Sequence, residues 1–171
     1  MKKVEHGKTF DRNAANPPAF EIFHNTVTEG YPKHWHTAIE IIMPTRGEYE
    51  VVVGKDSYNL KEGDIIMINS GVVHGMRFVS QGERIVMLVE PGCVENQEEM
   101  ETIFLRLPAI YFKKGDEEDP FYLFLRSQIL ELVREYDNEG AVMTHRICTG
   151  LKELFSEFGR KGFSDANAQN T

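Results

Sequence analysis

The sequence predicts a mainly β domain, an antiparallel sandwich or barrel, followed by an α-helical hairpin. Three observations predict it. Strand-like runs rich in Val, Ile, Phe and Tyr follow one another closely as far as Glu90, with short turn sequences between them. No helical pattern separates these runs, which excludes βαβ units. Beyond Pro91-Gly92 the apolar period changes from that of a strand to that of a helix.

Residues 1–19 are polar, end in Asn16-Pro17-Pro18-Ala19, and read as a loosely held arm that could lie across a pocket. Strands are expected at Phe20–Val27, Ala38–Met43, Tyr49–Val53, Asp64–Ile68 and Arg84–Val89. The turns between them carry Gly30, Gly47, Gly54, Gly63 and Gly71. A first helix is expected over Glu95–Arg106, stopped at Pro108. Asp119-Pro120 supplies an N-cap and an N1 proline. The stripe Phe121, Phe124, Leu125, Ile129, Leu132, Val133, Tyr136 then forms one helix face. After Asp137–Gly140 a second stripe follows: Met143, Ile147, Leu151, Leu154, Phe158. Lys161–Thr171 is polar and reads as a linker. The divisions are therefore 1–19 arm, 20–92 β domain, 93–160 helical region with a hairpin, and 161–171 linker, the chain being read as the front of a longer protein.

A chain of 171 residues, 41% hydrophobic, supports one domain with a real core. Its net charge of -8 argues against nucleic acid or an anionic membrane as a direct partner. The opening residues lack an apolar signal-peptide core, and no run approaches the ~18 apolar residues of a membrane span. The cytoplasm is the expected compartment. Cys93 and Cys148 form no CxxC pair and read as small packing thiols. The acidic run Asp116–Asp119 lacks the alternating ligands of a calcium loop and reads as charge placed at a helix N-terminus. His6, His24 and His145 have no partner pattern.

The chemistry is concentrated in Gly30–Glu40. On a regular strand His34, His36 and Glu40 share one face, with Trp35, Thr37, Ile39 and Ile41 on the other. Gly63–His74 brings one more imidazole after a glycine turn. Three histidines and one carboxylate suit a divalent transition ion: zinc, nickel, iron or manganese. The alternative is a polar mouth that hydrogen-bonds a small molecule or water. Tyr31, Tyr49, Met67, Met76 and Phe78 are candidate pocket-lining residues, Met76 and Phe78 sharing parity with His74. Trp35 is read as packing rather than stacking on a ligand. Arg77 and Arg84 are read as solvated edge residues rather than anion grips.

His34-x-His36-x3-Glu40-x6-Gly47 resembles the first motif of the cupin family. Gly63, Gly71 and His74 fall in register with its second motif, where Asn69 replaces a usual Pro and Phe78 a usual Asn. This resemblance implies a double-stranded β-helix, a jelly-roll barrel, over the β domain. His34-Trp35-His36, Ile39–Ile42, Gly47-Glu48-Tyr49, Leu60–Asp64 and Ile68–His74 further resemble the N-terminal sensor of AraC-type transcription regulators. That resemblance implies a small effector, a sugar or related metabolite, held by His34, His36, Glu40, His74, Tyr31, Tyr49, Met76 and Phe78. It also implies a homodimer through residues 120–159, and DNA contact only through a helix-turn-helix domain absent from this chain. Loss of the polar group at Phe78 and the surplus helices favour a sensor with no enzymatic activity. The alternative is a metal-dependent cupin dioxygenase, isomerase or lyase using the same four ligands.

Overall fold

Among the described residues, nine strands are divided between two sheets. The computed structural model describes residues 19–27, 29–94, 108–116, 119–138 and 140–168. The strands are β1 (Phe20–Val27), β2 (Tyr31–His34), β3 (Ile39–Arg46), β4 (Tyr49–Val53), β5 (Asp56–Leu60), β6 (Ile65–Ile68), β7 (His74–Phe78), β8 (Gly82–Val89) and β9 (Ala109–Phe112). One sheet has the order β1-β8-β3-β6-β9 and the other β2-β7-β4-β5. Every pairing is antiparallel.

Among the described residues the expected jelly-roll barrel is not formed. Each sheet ends in two edge strands that do not pair with each other or with the facing sheet. The chain changes sheets through non-strand segments such as 35–38 and 69–73. Ladder hydrogen bonds therefore stop at each crossing, whereas closure needs them to run on around the circumference. The domain is an open two-sheet sandwich with a helical pair on one face.

The central strand β3 shows why the sandwich is layered this way. Ile39, Ile41 and Met43 face one apolar cluster together with Ile65, Met67, Met87 and the helices. Ala38 and Ile42 face the other cluster, between the sheets, with Tyr49, Val51, Ile66, Ile68 and Leu88. Both faces of the five-stranded sheet are covered, so β3 reads as a continuous apolar run rather than an alternating one. The motif glycines Gly47, Gly63 and Gly71 all have positive φ, at 82°, 87° and 73°, a region that costs side-chain-bearing residues strain.

Helix α1 (Pro120–Asp137) starts as expected: Asp119 accepts a hydrogen bond from Phe121 N at 2.9 Å, and Pro120 occupies the first turn. Its buried residues are Tyr122, Leu125, Ile129 and Leu132. Helix α2 (Met143–Ala168) buries Ile147, Leu151, Leu154, Phe155 and Phe158 against the same core. Each such side chain contributes about 1.5–3 kcal/mol of apolar burial. The Tyr122 hydroxyl donates to Gly63 O at 2.8 Å and ties α1 to the β5–β6 turn. Helix α2 runs through Lys161–Ala168, where a linker was expected, because elongating an established helix costs far less than nucleating one. The expected helix over Glu95–Arg106 and the arm, apart from Ala19, lie outside the described residues. No described helix is long and apolar enough to cross a membrane.

Candidate metal centre

Four side chains converge between the two sheets. His34 ends β2 and pairs with His74, which opens β7 of the same sheet. Glu40 sits in the opposite sheet, on β3 between Ile68 of β6 and Leu88 of β8. His36 lies on the segment that crosses from one sheet to the other. The expected single strand carrying His34, His36 and Glu40 is therefore broken. The three residues meet because the chain crosses the sandwich, not because they share strand parity.

Gly75 makes the pairing of His34 with His74 close. A Cβ there would stand 3.1 Å from both Cα and N of Lys33, tighter than ordinary contact. Its absence lets β2 approach β7.

The ligand atoms of His34, His36, Glu40 and His74 all lie within 4.8 Å of one another. His36, Glu40 and His74 are buried, and His34 is partly open. Each imidazole is held from behind by a backbone carbonyl. His36 Nδ1 donates to Ala38 O at 2.9 Å, His74 Nδ1 to Val72 O at 2.8 Å and His34 Nδ1 to Pro32 O at 3.0 Å. This is how proteins orient metal-ligating histidines: a carbonyl that can only accept fixes the proton on one nitrogen and turns the other inward.

The inward nitrogens identify what the centre requires. His36 Nε2 and His74 Nε2 stand 3.0 and 2.9 Å from the same oxygen, Glu40 Oε2. With Nδ1–H already committed, each Nε2 presents a lone pair toward a carboxylate that also presents lone pairs. Something positive must lie between them, either protons or a cation. A divalent ion supplies that charge to all four groups at once, and the donor set of three imidazole nitrogens and one carboxylate oxygen fits it. The cluster can coordinate a divalent transition-metal ion.

Without an ion, protons carry the balance. Burial raises the Glu40 carboxyl, but the hydrogen bonds and charges of His36 and His74 outweigh it and hold Glu40 well below the usual carboxylate range. Burial acts against charge on His74, and Glu40 together with Val72 O reverses this, so its pKa is raised. His34 is lowered, chiefly by burial and then by its imidazole neighbours, against the pull of Pro32 O and Glu40.

The other expected pocket residues are scattered. The Tyr31 ring centroid is 4.7 Å from that of His34. Met76 faces the inter-sheet core, and Tyr49 is fully buried there with its hydroxyl donating to Arg46 O at 3.3 Å. Phe78 is 44% exposed at the end of β7. Tyr31, Met76 and Phe78 line a groove of about 410 Å³ that includes none of the four clustered residues. Met67 turns to the helical side, away from the centre. Trp35, expected to pack, is 54% exposed.

Arg84 is the residue the sequence reading misplaced most. It is half-buried and turned toward the inter-sheet core rather than fully solvated. Its guanidinium carbon lies 5.7 Å from the Tyr49 ring centroid, and Nη1 contacts Met76 Sδ. Burial lowers its pKa, while Glu40, Tyr49 and Tyr31 oppose that shift. The strand period carried the signal, since Arg84 shares parity with the inward-facing Val86 and Leu88. Arg77, by contrast, is exposed and pairs with Glu50 at 3.3 Å.

Comparison with known proteins bears on the fold. Residues 25–90, well under half of the chain, match the family described as Cupin domain. Over this segment the chain is similar to the cupin superfamily. A search of curated proteins found no match. Among solved structures, apo ToxT from Vibrio cholerae strain SCE256 is similar, with a TM-score of 0.56 and 12% identity over 86% of this chain and 58% of that one. ToxT solved with an unsaturated fatty acid bound gives 0.53 and 12% over 88% and 56%. The chain thus spans less than two thirds of ToxT, and the likeness is one of fold. An oxalate decarboxylase of Bacillus subtilis aligns at a TM-score of 0.39 and 16% identity, over 42% of this chain and 21% of that one.

The expectation of a sensor with no enzymatic activity is overturned by the cluster itself. Three carbonyl-oriented imidazoles and a buried carboxylate form the kind of ligand set on which metal catalysis is built, whatever stands at Phe78.

Proposed function

We propose that the domain is a metal-dependent cupin that binds and acts on a small molecule at the centre formed by His34, His36, Glu40 and His74. The observation that carries this reading is the arrangement of the imidazoles, each donating Nδ1–H to a backbone carbonyl within a ligand set no wider than 4.8 Å. A divalent transition ion held there supplies Lewis acidity. The residues of the chain do the rest. Ala38 O, Val72 O and Pro32 O hold the rings, and Glu40 supplies negative charge from the middle of a sheet. Ala38, Ile68, Met76 and Leu88 belong to the apolar core between the sheets that surrounds the centre and keeps bulk water from it. His34 is the least buried ligand, and with Tyr31 beside it marks the side from which a small molecule enters.

The test is metal binding. Wild-type protein stripped with a chelator should bind one Zn²⁺ or Mn²⁺ per chain by calorimetry, and His36→Ala or His74→Ala should weaken it about 10–100-fold or more. Stoichiometric binding that survives both substitutions would refute this reading.

A second reading has one observation in its favour. The fold shared with ToxT covers 86% of this chain, more than the cupin segment alone. In this reading the centre anchors an effector whose arrival is passed to the helices, in the manner of an AraC-type sensor. Leu123, Leu130 and Val142 are exposed at 50%, 39% and 55%, and favour a homodimer through residues 120–159.

A further inference from the structure

Arg84 is a half-buried cation that makes no ion pair with a carboxylate among the described residues, although the Glu40 charge favours its charged form. Arg46, Arg77, Arg134, Arg146 and Arg160 each face a carboxylate. Arg84 faces an aromatic ring and a thioether instead. Its Nε atom is buried and has no hydrogen-bond partner. A buried guanidinium donor left without a partner costs stability. An anion arriving from outside would supply that partner.

The position of Arg84 says where that partner sits. It points between the sheets, on the same face as Val86 and Leu88. It lies opposite Pro44 on β3, four residues along from Glu40. The two Cα levels are about 13 Å apart along the strand, a gap that the long arginine side chain shortens. Tyr49 and Met76, both buried, wall its approach. A bound group here meets an apolar wall on one side and a planar fork of donors on the other. The fork matches a carboxylate in bidentate fashion.

We propose that Arg84 holds the carboxylate of a small anionic molecule whose other end is presented to the His34/His36/Glu40/His74 centre. This rests on the metal-centre reading above and adds the substrate class to it: a short organic acid with a second oxygen function, not a neutral sugar. Arg84 fixes one end of the molecule, and the centre receives the other.

Succinate and glutarate serve as probes, with butanediol and pentanediol as neutral matches of the same length and inorganic phosphate as a general anion. They are titrated by calorimetry into the Zn²⁺-loaded protein. The diacids should bind and the diols should not. Arg84→Gln should weaken the diacids about tenfold or more while leaving Zn²⁺ affinity within about twofold, and Arg84→Lys should recover part of the loss. Arg77→Gln, at an exposed arginine on β7, should change nothing. Arg84→Met replaces the guanidinium with an apolar chain and substitutes for the Gln variant if that one fails to fold by circular dichroism.

Failure of every diacid to bind a protein that does bind Zn²⁺ would overturn the proposal and leave the metal centre standing. So would equal diacid affinity in wild type and the Arg84 variants, equal loss in Arg77→Gln, or phosphate binding as tightly as any diacid. If Zn²⁺ itself does not bind, the metal reading falls. Arg84-dependent diacid binding to the metal-free chain would then support the anion grip alone, and its absence would overturn both.

Discussion

The proton balance around Glu40 has a measurable sign. In metal-free protein the His74 pKa is raised above 6.5, so the His74–Glu40 contact stabilises the fold fully below pH 6.5 and loses that contribution as pH climbs through the raised value. Glu40, lowered from 4.5, contributes above pH 4.5 and loses its share as acid carries the pH down toward its depressed value. His34, lowered from 6.5, works against stability as pH falls below 6.5. Proton NMR of the metal-free protein should show His74 titrating above 6.5 and His34 below it. In Glu40→Gln, burial is the dominant influence left on His74, and its midpoint should fall below 6.5. A His74 midpoint unmoved by that substitution would mean that Glu40 does not hold the proton. At this scale the sequence was highly legible for the ligands and poorly legible for Arg84. Histidines and a carboxylate announce themselves by type and spacing. An arginine is read as solvated by default, and only its phase on β8 shows that it points inward.

Among the elements, legibility follows residue composition more than position in the sheet. Strands β1 and β4 have the expected boundaries, Phe20–Val27 and Tyr49–Val53, and both are rich in β-branched and aromatic residues. Strands β2, β5 and β9 went unrecognised, and all three are edges. An edge strand has one unpaired side, so it tolerates the Pro32 of β2 and the polar Asp-Ser-Tyr-Asn of β5, which a sequence reading takes for turns. Strand β7 was missed for a different reason, since His-Gly-Met-Arg-Phe carries little strand propensity and forms because strands flank it on both sides. Its glycine gives a test of the element alone. Gly75→Val should push β2 away from β7 and draw His34 out of the cluster, weakening Zn²⁺ binding about tenfold although no ligand is touched. Competition against a chelator would measure it, and unchanged affinity in a folded variant would show that the close approach is not what positions His34.

For the whole molecule, layering was legible and closure was not. Apolar composition and turn spacing distinguish a two-layer β domain from other classes, but a sandwich and a barrel share that pattern and differ only in whether edge strands meet. The helical stripes are likewise partly accounted for. Ile147, Leu151, Leu154, Phe155 and Phe158 cover the five-stranded sheet, while Leu123 and Leu130, seven residues apart on α1, stay exposed. If these form the interface between copies, light scattering should give twice the 19.6 kDa chain mass, and Leu130→Lys should shift the population toward monomer. A wild-type monomer at high concentration would assign that face another role.

The alternation of the chain between sheets has a consequence for how the molecule is made. Glu40 belongs to one sheet, His34 and His74 to the other, and His36 to the bridge between them. No half of the sandwich owns the complete ligand set, so neither can capture an ion by itself during refolding. An ion that binds only the assembled pair acts as a clamp on the docking of two layers, and the concentration of free metal then governs how long they stay together.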